Sequence, residues 1–200
     1  MSPPAGTAHM ISLPLDVTNG GQVTEAVAQI IEKWESLDVL VNNAGIAIDA
    51  VLPQMKLEDW ERVVAVNLKG AFLCSQAALR PMLKQRQGHI INITSFAARN
   101  GARGQANYAA AKAGLIGLTE SLAREVGSRN VRVNAILPGV LPTAMTVDLK
   151  PEILAQFAAA NALGRINSIL EVTRFIAFLA TTENISGQVF QLDSRIARWS

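Results

Sequence analysis

The stretch Leu37-Asp38-Val39-Leu40-Val41-Asn42-Asn43-Ala44-Gly45 joins a short apolar run to a turn of small and polar residues. An apolar run of this length that ends in a turn predicts a buried strand. Gly45 permits a positive φ angle and a close approach of the backbone to a ligand. Two interpretations of the turn stay open: a plain strand end, or a binding turn.

Strand and helix patterns alternate along the whole chain, which predicts a parallel sheet covered by helices. Strands are predicted at residues 10–15, 37–41, 89–94, 131–137 and 187–192. Helices are predicted at residues 22–35, 57–85, 108–126, 151–160 and 169–180. Pro81 is expected to bend or break the end of the second helix. Because no linker or repeat interrupts the pattern, we expect residues 1–200 to form a single α/β domain.

Composition excludes several functional classes. Half of the 200 residues are apolar and 17% are charged, which suits a buried parallel sheet. The net charge of +2 is small and its basic residues are scattered, so nucleic acid is not an expected partner. The apolar runs are strand-sized and the start of the chain is no signal peptide, so no membrane association is expected. The single cysteine, Cys74, fits a reducing compartment, and we expect a cytoplasmic protein.

A candidate proton-transfer site lies between residues 95 and 112. Lys112 follows Tyr108 by four residues, and Ser95 precedes the tyrosine by thirteen. A phenol with a pKa of about 10 is a poor acid or base at neutral pH, and a cation one helical turn away stabilises its phenolate. A nearby serine hydroxyl can bond the substrate oxygen on which charge changes. Tyr-Lys pairs at this spacing are also common on plain helix surfaces, so further features are needed.

Those features fall where predicted strands end, at the edge where open α/β sheets bind ligands. Asp16 follows the first strand, the turn at 42–45 the second, Ser95 the third, and Pro138-Gly139 the fourth. This agreement predicts one shared cleft. Asn67 adds a polar residue of poor helix propensity inside an apolar helix.

As a set, these motifs resemble the short-chain dehydrogenase/reductase family, whose catalytic tetrad is Asn, Ser, Tyr and Lys in this chain order. The resemblance runs from Asp16 to about Asp193 and is strongest to 3-oxoacyl-acyl-carrier-protein reductases. It implies a Rossmann-like, doubly wound sheet that is truncated at its N-terminal side. It also implies an oxidoreductase of fatty acid biosynthesis that passes a hydride between NAD(P)(H) and a ketone or secondary alcohol.

The resemblance implies a role for each tetrad member. Tyr108 protonates the forming alkoxide, and Ser95 steadies that oxygen. Lys112 lowers the pKa of Tyr108 and holds the nicotinamide ribose. Asn67 kinks its helix and binds a water of the proton relay, although a satisfied core amide is the alternative for this residue.

The resemblance also implies a binding site for NADP or NAD, without deciding between them. The implied contacts are Asp16, Val17, Asn42, Ala44, Gly45, Tyr108, Lys112, Pro138, Gly139 and Thr143. Asp16 could equally cap the following helix. No Cys/His cluster suggests a metal, and His9 and His89 are expected to be structural or solvated.

Residues 141–166 correspond to the family's substrate lid. Their apolar side chains suit an acyl chain or could simply be core: Met145, Leu149, Ile153, Leu154, Phe157 and Leu163. The substrate is expected to be a small molecule or an acyl thioester. Beyond this segment the family's usual Asp-Gly-Gly is here Asp193-Ser194-Arg195, a departure that we expect to alter the C-terminal contacts.

The family's glycine-rich turn, T-G-x-x-x-G-x-G, has no match in this sequence. That turn seats a pyrophosphate on a helix N-terminus, whereas Gly20-Gly21 is too short and follows the wrong strand. The strand at 37–41 is then expected to have an unpaired edge. Either residues 10–15 pair beside it or a partner chain covers it; a truncation of a longer enzyme, natural or artificial, is a further possibility.

Helices 57–85 and 108–126 correspond to the family's tetramer interface, so a homo-oligomer, either dimer or tetramer, is expected. Two alternatives to an active reductase stay open. One is a weak or inactive homologue that acts as an oligomerisation or interaction module. The other is a plain acyl- or ketone-binding protein, which rests on the lid segment alone.

Overall fold

The computed structural model of this chain describes residues 10–143, 146–147 and 149–196. Its strands are β1 (Val39–Asn42), β2 (Gly88–Ile93), β3 (Val131–Leu137) and β4 (Val189–Gln191). Its first helices are α1 (Gly20–Trp34), α2 (Leu57–Val64), α3 (Gly70–Gln85) and α4 (Ala97–Asn100). They are followed by α5 (Ala106–Val126), α6 (Pro151–Ala159) and α7 (Ile169–Thr181). Within the described ranges, no helix is both long and apolar enough to cross a membrane.

The strands form one parallel sheet in the order β1-β2-β3-β4, with β2 and β3 at its centre. Every residue of β2 is buried, because successive side chains of a strand point to opposite faces and helices cover both. On one face Ala78 and Met82 of α3 and Val126 of α5 form a cluster with Ile90, Val131 and Val133 of the sheet. On the other, Leu179 of α7 forms a cluster with Ile91, Ile93 and Ile136. The predicted Rossmann-like α/β class is confirmed.

The prediction of a strand at residues 10–15 is wrong. This segment has no regular secondary structure, and β1 is the outermost strand of the sheet. Pro14 has no N–H group and cannot complete a strand ladder. As a result β1 is less buried than expected, with Val39 and Val41 36% and 38% exposed. Coverage of this edge by a partner chain remains a prediction.

The predicted helix at 57–85 is continuous but changes its geometry in the middle. Between α2 and α3, residues Ala65–Lys69 form a π-helical turn that contains Asn67. A π turn inside an α-helix is rare and often marks a functional site. Pro81 does not end the helix, which continues to Gln85.

A network of hydrogen bonds between buried amides and hydroxyls, here called the amide relay, joins the sheet to helices on one face. The Asn42 amide donates to the Ser75 hydroxyl at 3.0 Å and to Asn92 Oδ1 at 2.8 Å. The Asn92 amide donates to the Thr119 hydroxyl at 2.9 Å. Because Ser75 lies on α3 and Thr119 on α5, the relay ties both helices to β1 and β2. The side chain of Asn42, predicted to contact cofactor, is committed to this relay.

Candidate active site

Helix α5 presents Tyr108 and Lys112 one turn apart beside the end of β2. Lys112 is only 4% exposed, and its ammonium group donates to the Ile93 carbonyl at 2.8 Å. The same nitrogen lies 5.7 Å from the centre of the Tyr108 ring. Asn107 fixes the start of the helix, because its amide donates to the Ile48 carbonyl at 3.0 Å while its oxygen accepts from the Tyr108 N–H at 2.8 Å.

Ser95 lies just beyond β2, at the carboxyl edge of the sheet. Its hydroxyl oxygen accepts from the Ala97 N–H at 3.3 Å, and its closeness to the Tyr108 side chain acts to lower the pKa of that phenol. The fold therefore brings Ser95 beside Tyr108 and Lys112 of α5, although Ser95 lies on a different segment of the chain.

Asn67 joins this cluster through the turn after β1. Its buried amide clamps the backbone of Ile46, accepting from the N–H at 3.0 Å and donating to the carbonyl at 2.8 Å. A methyl group at Gly45 would lie 2.6 Å from Asn67 Oδ1 and 3.5 Å from the Lys112 amine. The φ angle of Gly45 is not positive, so glycine is needed here for close packing and not for a left-handed turn.

Burial sets the protonation states of the site. It raises the pKa of Tyr108, an effect that Ser95 opposes and the negative charge of Asp49 reinforces. Burial also lowers the pKa of Lys112 to about 8. The structure thus does not show the lowered Tyr108 pKa that the family resemblance implied, because burial outweighs the lowering effect of Ser95. At neutral pH the phenol is protonated and can donate a proton.

The turn after β3 faces the same edge of the sheet. Gly139 has a φ of +82°, which side chains rarely allow, and Asn167 holds the turn by donating to the Pro138 carbonyl at 2.8 Å. Thr143 is exposed, and its N–H donates to the Thr146 hydroxyl at 2.8 Å. Residue 145, one of the predicted lid residues, lies outside the described residues.

Asp16 and Val17 lie at the junction of α1 and α3. Asp16 accepts from both the N–H and the hydroxyl of Thr18, and these bonds lower its pKa. It does not cap α1, since Asn19 does. A methyl group at Gly70 would lie 2.7 Å from Val17, so Val17 packs on the first residue of α3. Ala44 is exposed in the turn after β1.

Sequence reasoning missed several residues that shape the site. Gln105 donates to both carboxylate oxygens of Asp49 at 3.1 Å, and Asp49 acts on Tyr108 through its charge. Asn107 could have been found, because it is a poor helix former beside the tyrosine, the same signal that singled out Asn67. The contacts of Asp49 depend on long-range packing and left no pattern in the sequence.

His89 has a structural environment. It is fully buried in β2, and its Nε2 pairs with the Asn134 amide at 2.8 Å. Burial, with a smaller contribution from the charge of Arg132, lowers its pKa to about 4. His9 lies outside the described residues. Among the residues that are described, no three His, Cys, Asp or Glu side chains cluster in a way that could hold a metal ion.

Comparisons with known proteins agree with this geometry. The family model described as Enoyl-(Acyl carrier protein) reductase matches residues 3–194. A 3-oxoacyl-[acyl-carrier-protein] reductase of Synechocystis sp. is 44% identical over 189 residues, covering 94% of this chain and 76% of that protein. The corresponding reductase FabG of Thermotoga maritima is 45% identical over 181 residues, covering 90% of this chain and 74% of that protein.

A solved structure, ElxO with NADP bound, superposes with a TM-score of 0.85 at 32% identity, covering 90% of this chain and 75% of the other. The chain thus spans about three quarters of the length of these relatives. By its family model, its relatives and its fold, the chain belongs to the short-chain dehydrogenase/reductase family of NAD(P)-dependent oxidoreductases.

Proposed function

We propose that this chain reduces the ketone of 3-oxoacyl thioesters to a secondary alcohol. The observation that carries the proposal is the meeting of Ser95, Tyr108 and Lys112 at the carboxyl edge of the sheet. The names of the relatives supply the substrate class, since those from Synechocystis sp. and Thermotoga maritima are 3-oxoacyl-[acyl-carrier-protein] reductases.

Tyr108 is the proton donor in this proposal. Reduction of a ketone places negative charge on the carbonyl oxygen, which must receive a proton. Because burial raises the pKa of Tyr108, its phenol holds a proton at neutral pH and can release it to a more basic alkoxide. The Ser95 hydroxyl, which acts on the same phenol, is placed to hydrogen-bond the substrate oxygen.

Lys112 and Asn67 support this transfer. With a pKa of about 8, Lys112 is mostly charged at pH 7 and stabilises the phenolate that remains after the proton leaves. Asn67 fixes the loop at Ile46, and so keeps Gly45 packed against Lys112. Asn67 thus fixes the position of the loop that packs against Lys112. A role in a proton relay through a bound water, which the family resemblance implies for Asn67, remains part of the proposal.

The described residues fit the nicotinamide half of a dinucleotide. Lys112 offers a cation to a ribose, and Gly139, at positive φ, shapes the turn that would flank the nicotinamide ring. Pro138, Tyr108 and Thr143 complete this half, while Asp16, Val17, Asn42, Ala44 and Gly45 are assigned to the adenosine half, Asn42 through its backbone. When bound, the nicotinamide supplies the hydride, and the protein supplies position and charge.

Helix α6 supports an acyl substrate. Ile153, Leu154 and Phe157 are half-buried on it, while Leu163 is 65% exposed beyond its end. Such partly covered apolar side chains suit contact with the hydrocarbon chain of an acyl substrate.

The test combines cofactor binding with turnover. Calorimetric titration of the purified chain with NADPH and NADH is expected to show binding with Kd values in the micromolar range, about 8 kcal/mol of binding free energy. Reduction of an acetoacetyl thioester should follow, and Tyr108→Phe should lower kcat by about 10²-fold or more even when the cofactor is saturating. No binding at millimolar cofactor would contradict the proposal and leave an inherited but idle tetrad.

We also propose that the chain self-associates through α2, α3 and α5. A groove between these helices is lined mainly by apolar or small residues: Val64, Leu68, Phe72, Gly114, Leu118 and Ser121. Phe72 is 44% exposed there. Light scattering after size exclusion should give a dimer or tetramer, which Phe72→Asp should convert to smaller species. Leu52→Asp, at an exposed site outside the groove, serves as the control.

A cytoplasmic location is part of the same proposal. Cys74 is half-buried and burial raises its thiol pKa, so it is held as an inert thiol and has no second cysteine to pair with. Fractionation of cells that express the chain tests the location directly, and recovery in the membrane fraction would contradict it.

A further inference from the structure

The tripeptide Asp193-Ser194-Arg195 contacts three separate segments: the one that carries Ser95, the turn after β3, and the residues that follow α6. It follows β4 at the carboxyl edge of the sheet, and stands where the family resemblance leads one to expect Asp-Gly-Gly. A glycine has no side chain with which to make such contacts. The side-chain contacts of Ser194 and Arg195 are therefore a property of this sequence and not of the general pattern.

Arg195 reaches the segment that carries Ser95. Its guanidinium lies 3.8 Å from the centre of the Phe96 ring, a stacking distance. Asp193 fixes the other edge of the guanidinium, since Arg195 Nε donates to Asp193 Oδ2 at 2.6 Å and Nη2 forms an ion pair with the same oxygen. The Arg195 and Asp193 side chains are only 13% and 2% exposed, so water competes little with this pair.

Asp193 in turn touches the turn after β3. A methyl group at Gly139 would lie 2.7 Å from Asp193 Cβ, so the carboxylate stem packs directly on this glycine. Gln191 holds the tripeptide in place by donating to Asp193 Oδ1 at 2.8 Å and to the Arg195 carbonyl at 2.6 Å. The Arg195 guanidinium thus links the Gly139 turn to Phe96, the neighbour of Ser95.

Ser194 binds the third segment, residues 161–163, which follows α6. Its hydroxyl accepts from the Leu163 N–H at 3.2 Å, and its carbonyl accepts from the Ala162 N–H at 3.0 Å. Its own N–H donates to Asn161 Oδ1 at 3.1 Å. These bonds fix the backbone of the tripeptide independently of Arg195. The Arg195 side chain therefore extends to Phe96 from a backbone that is already held in place.

Building on the proposed function, we propose that Arg195 is a positioning residue of the reaction. Its guanidinium stacks on Phe96, the neighbour of Ser95. The stack holds the Ser95 hydroxyl at a fixed distance from the Gly139 turn, where it can hydrogen-bond the substrate oxygen. Arg195 itself need not touch substrate or cofactor, because both its charge and its planar face are occupied by Asp193 and Phe96.

A double-mutant cycle tests this assignment. Arg195→Ala is expected to lower kcat by about tenfold and to change KM by less than about twofold, because a displaced Ser95 weakens binding of the transition state more than binding of the ketone. In a Ser95→Ala background, Arg195→Ala should have no further effect on kcat, since the residue on which it acts is gone. Arg174→Ala, an exposed arginine on α7, should leave kcat unchanged.

Equal effects of Arg195→Ala with and without Ser95 would overturn the proposal. If Arg195→Ala fails to fold, Arg195→Lys decides: it keeps the charge opposite Asp193 but loses the planar stack, so an unchanged kcat would overturn the proposal and a lowered kcat supports it.

Hydrogen exchange separates this inference from the proposed function. Should the wild-type chain have no reductase activity, the proposed function fails, but the contact can still be tested. Arg195→Ala should then speed amide exchange in residues 95–100 and Arg174→Ala should not. Unchanged exchange in residues 95–100 would show that Arg195 does not hold the Ser95 segment.

Discussion

The ammonium group of Lys112 lies 5.7 Å from the centre of the Tyr108 ring while donating to the Ile93 carbonyl at the end of β2. One bond to the central strand therefore fixes a buried cation beside the proton donor. Because the cation is desolvated, its charge state is sensitive to pH near neutrality.

The first prediction concerns the pH dependence of reduction. Lys112 must be charged to stabilise the Tyr108 phenolate, and its pKa is about 8. At saturating substrate, kcat for reduction should fall as pH rises through about 8, because the charged form is lost. Lys112→Arg keeps its charge to above about pH 12, so any remaining activity should lack this inflection. A wild-type kcat that is flat from pH 7 to 9.5 would contradict the assigned role.

The second prediction concerns the packing of Gly45. Gly45→Ala places a methyl group 2.6 Å from Asn67 Oδ1, and should lower the free energy of unfolding by about 1–3 kcal/mol. Gly127→Ala is the matched control, because no atom lies within 4 Å of its added methyl group and its φ is −58°. That change should be neutral or stabilise the protein by up to about 1 kcal/mol. Urea denaturation measures both, and equal effects would argue against close packing at Gly45.

The third prediction concerns the buried amide relay. Asn42→Ala removes the donor to Asn92 Oδ1 and Ser75, and should lower the free energy of unfolding by about 2 kcal/mol. Asn43→Ala changes the neighbouring, exposed amide and should cost less than about 0.5 kcal/mol. Thermal or urea unfolding of both variants checks the difference. If Asn42→Ala proves as mild as Asn43→Ala, the relay contributes little to stability.

The fourth prediction concerns acid stability. His89 takes up a proton at a pKa of about 4 in the folded chain and at 6.5 when unfolded. Between these pH values the unfolded state binds more protons, so the free energy of unfolding should fall as pH drops from 6.5 to 4, by an amount on the order of 2 kcal/mol. His89→Gln can still accept from Asn134 but does not titrate, so the loss over this window should be smaller. Identical pH profiles for the two proteins would exclude His89 as the cause.

The central strands and the long helices were predictable because they carry strong local patterns. The strand at 131–137 was predicted with its observed bounds, and the helix at 108–126 begins two residues earlier than predicted. Helix α1 likewise begins two residues earlier than predicted, at Gly20, because Asn19 caps it. These elements are amphipathic or wholly apolar over many residues, so tertiary contacts had little to override.

The prediction of a strand at residues 10–15 was wrong for a physical reason. A short alternating run becomes a strand only if a neighbouring edge is within reach and its N–H groups are available for pairing. Pro14 removes one N–H, and β1 keeps an unpaired edge. Local pattern cannot report whether such a partner exists.

The sequence by itself determined the central strands, the long helices and the chemical identity of the candidate tetrad, because periodicity and residue type are local properties. The tertiary structure alone decided that burial raises the Tyr108 pKa, that Gly45 is required by Asn67 and Lys112, and that Arg195 stacks on Phe96. Each of these depends on desolvation or contact between residues distant along the chain. Such effects arise only when the sheet brings the ends of its strands to one edge.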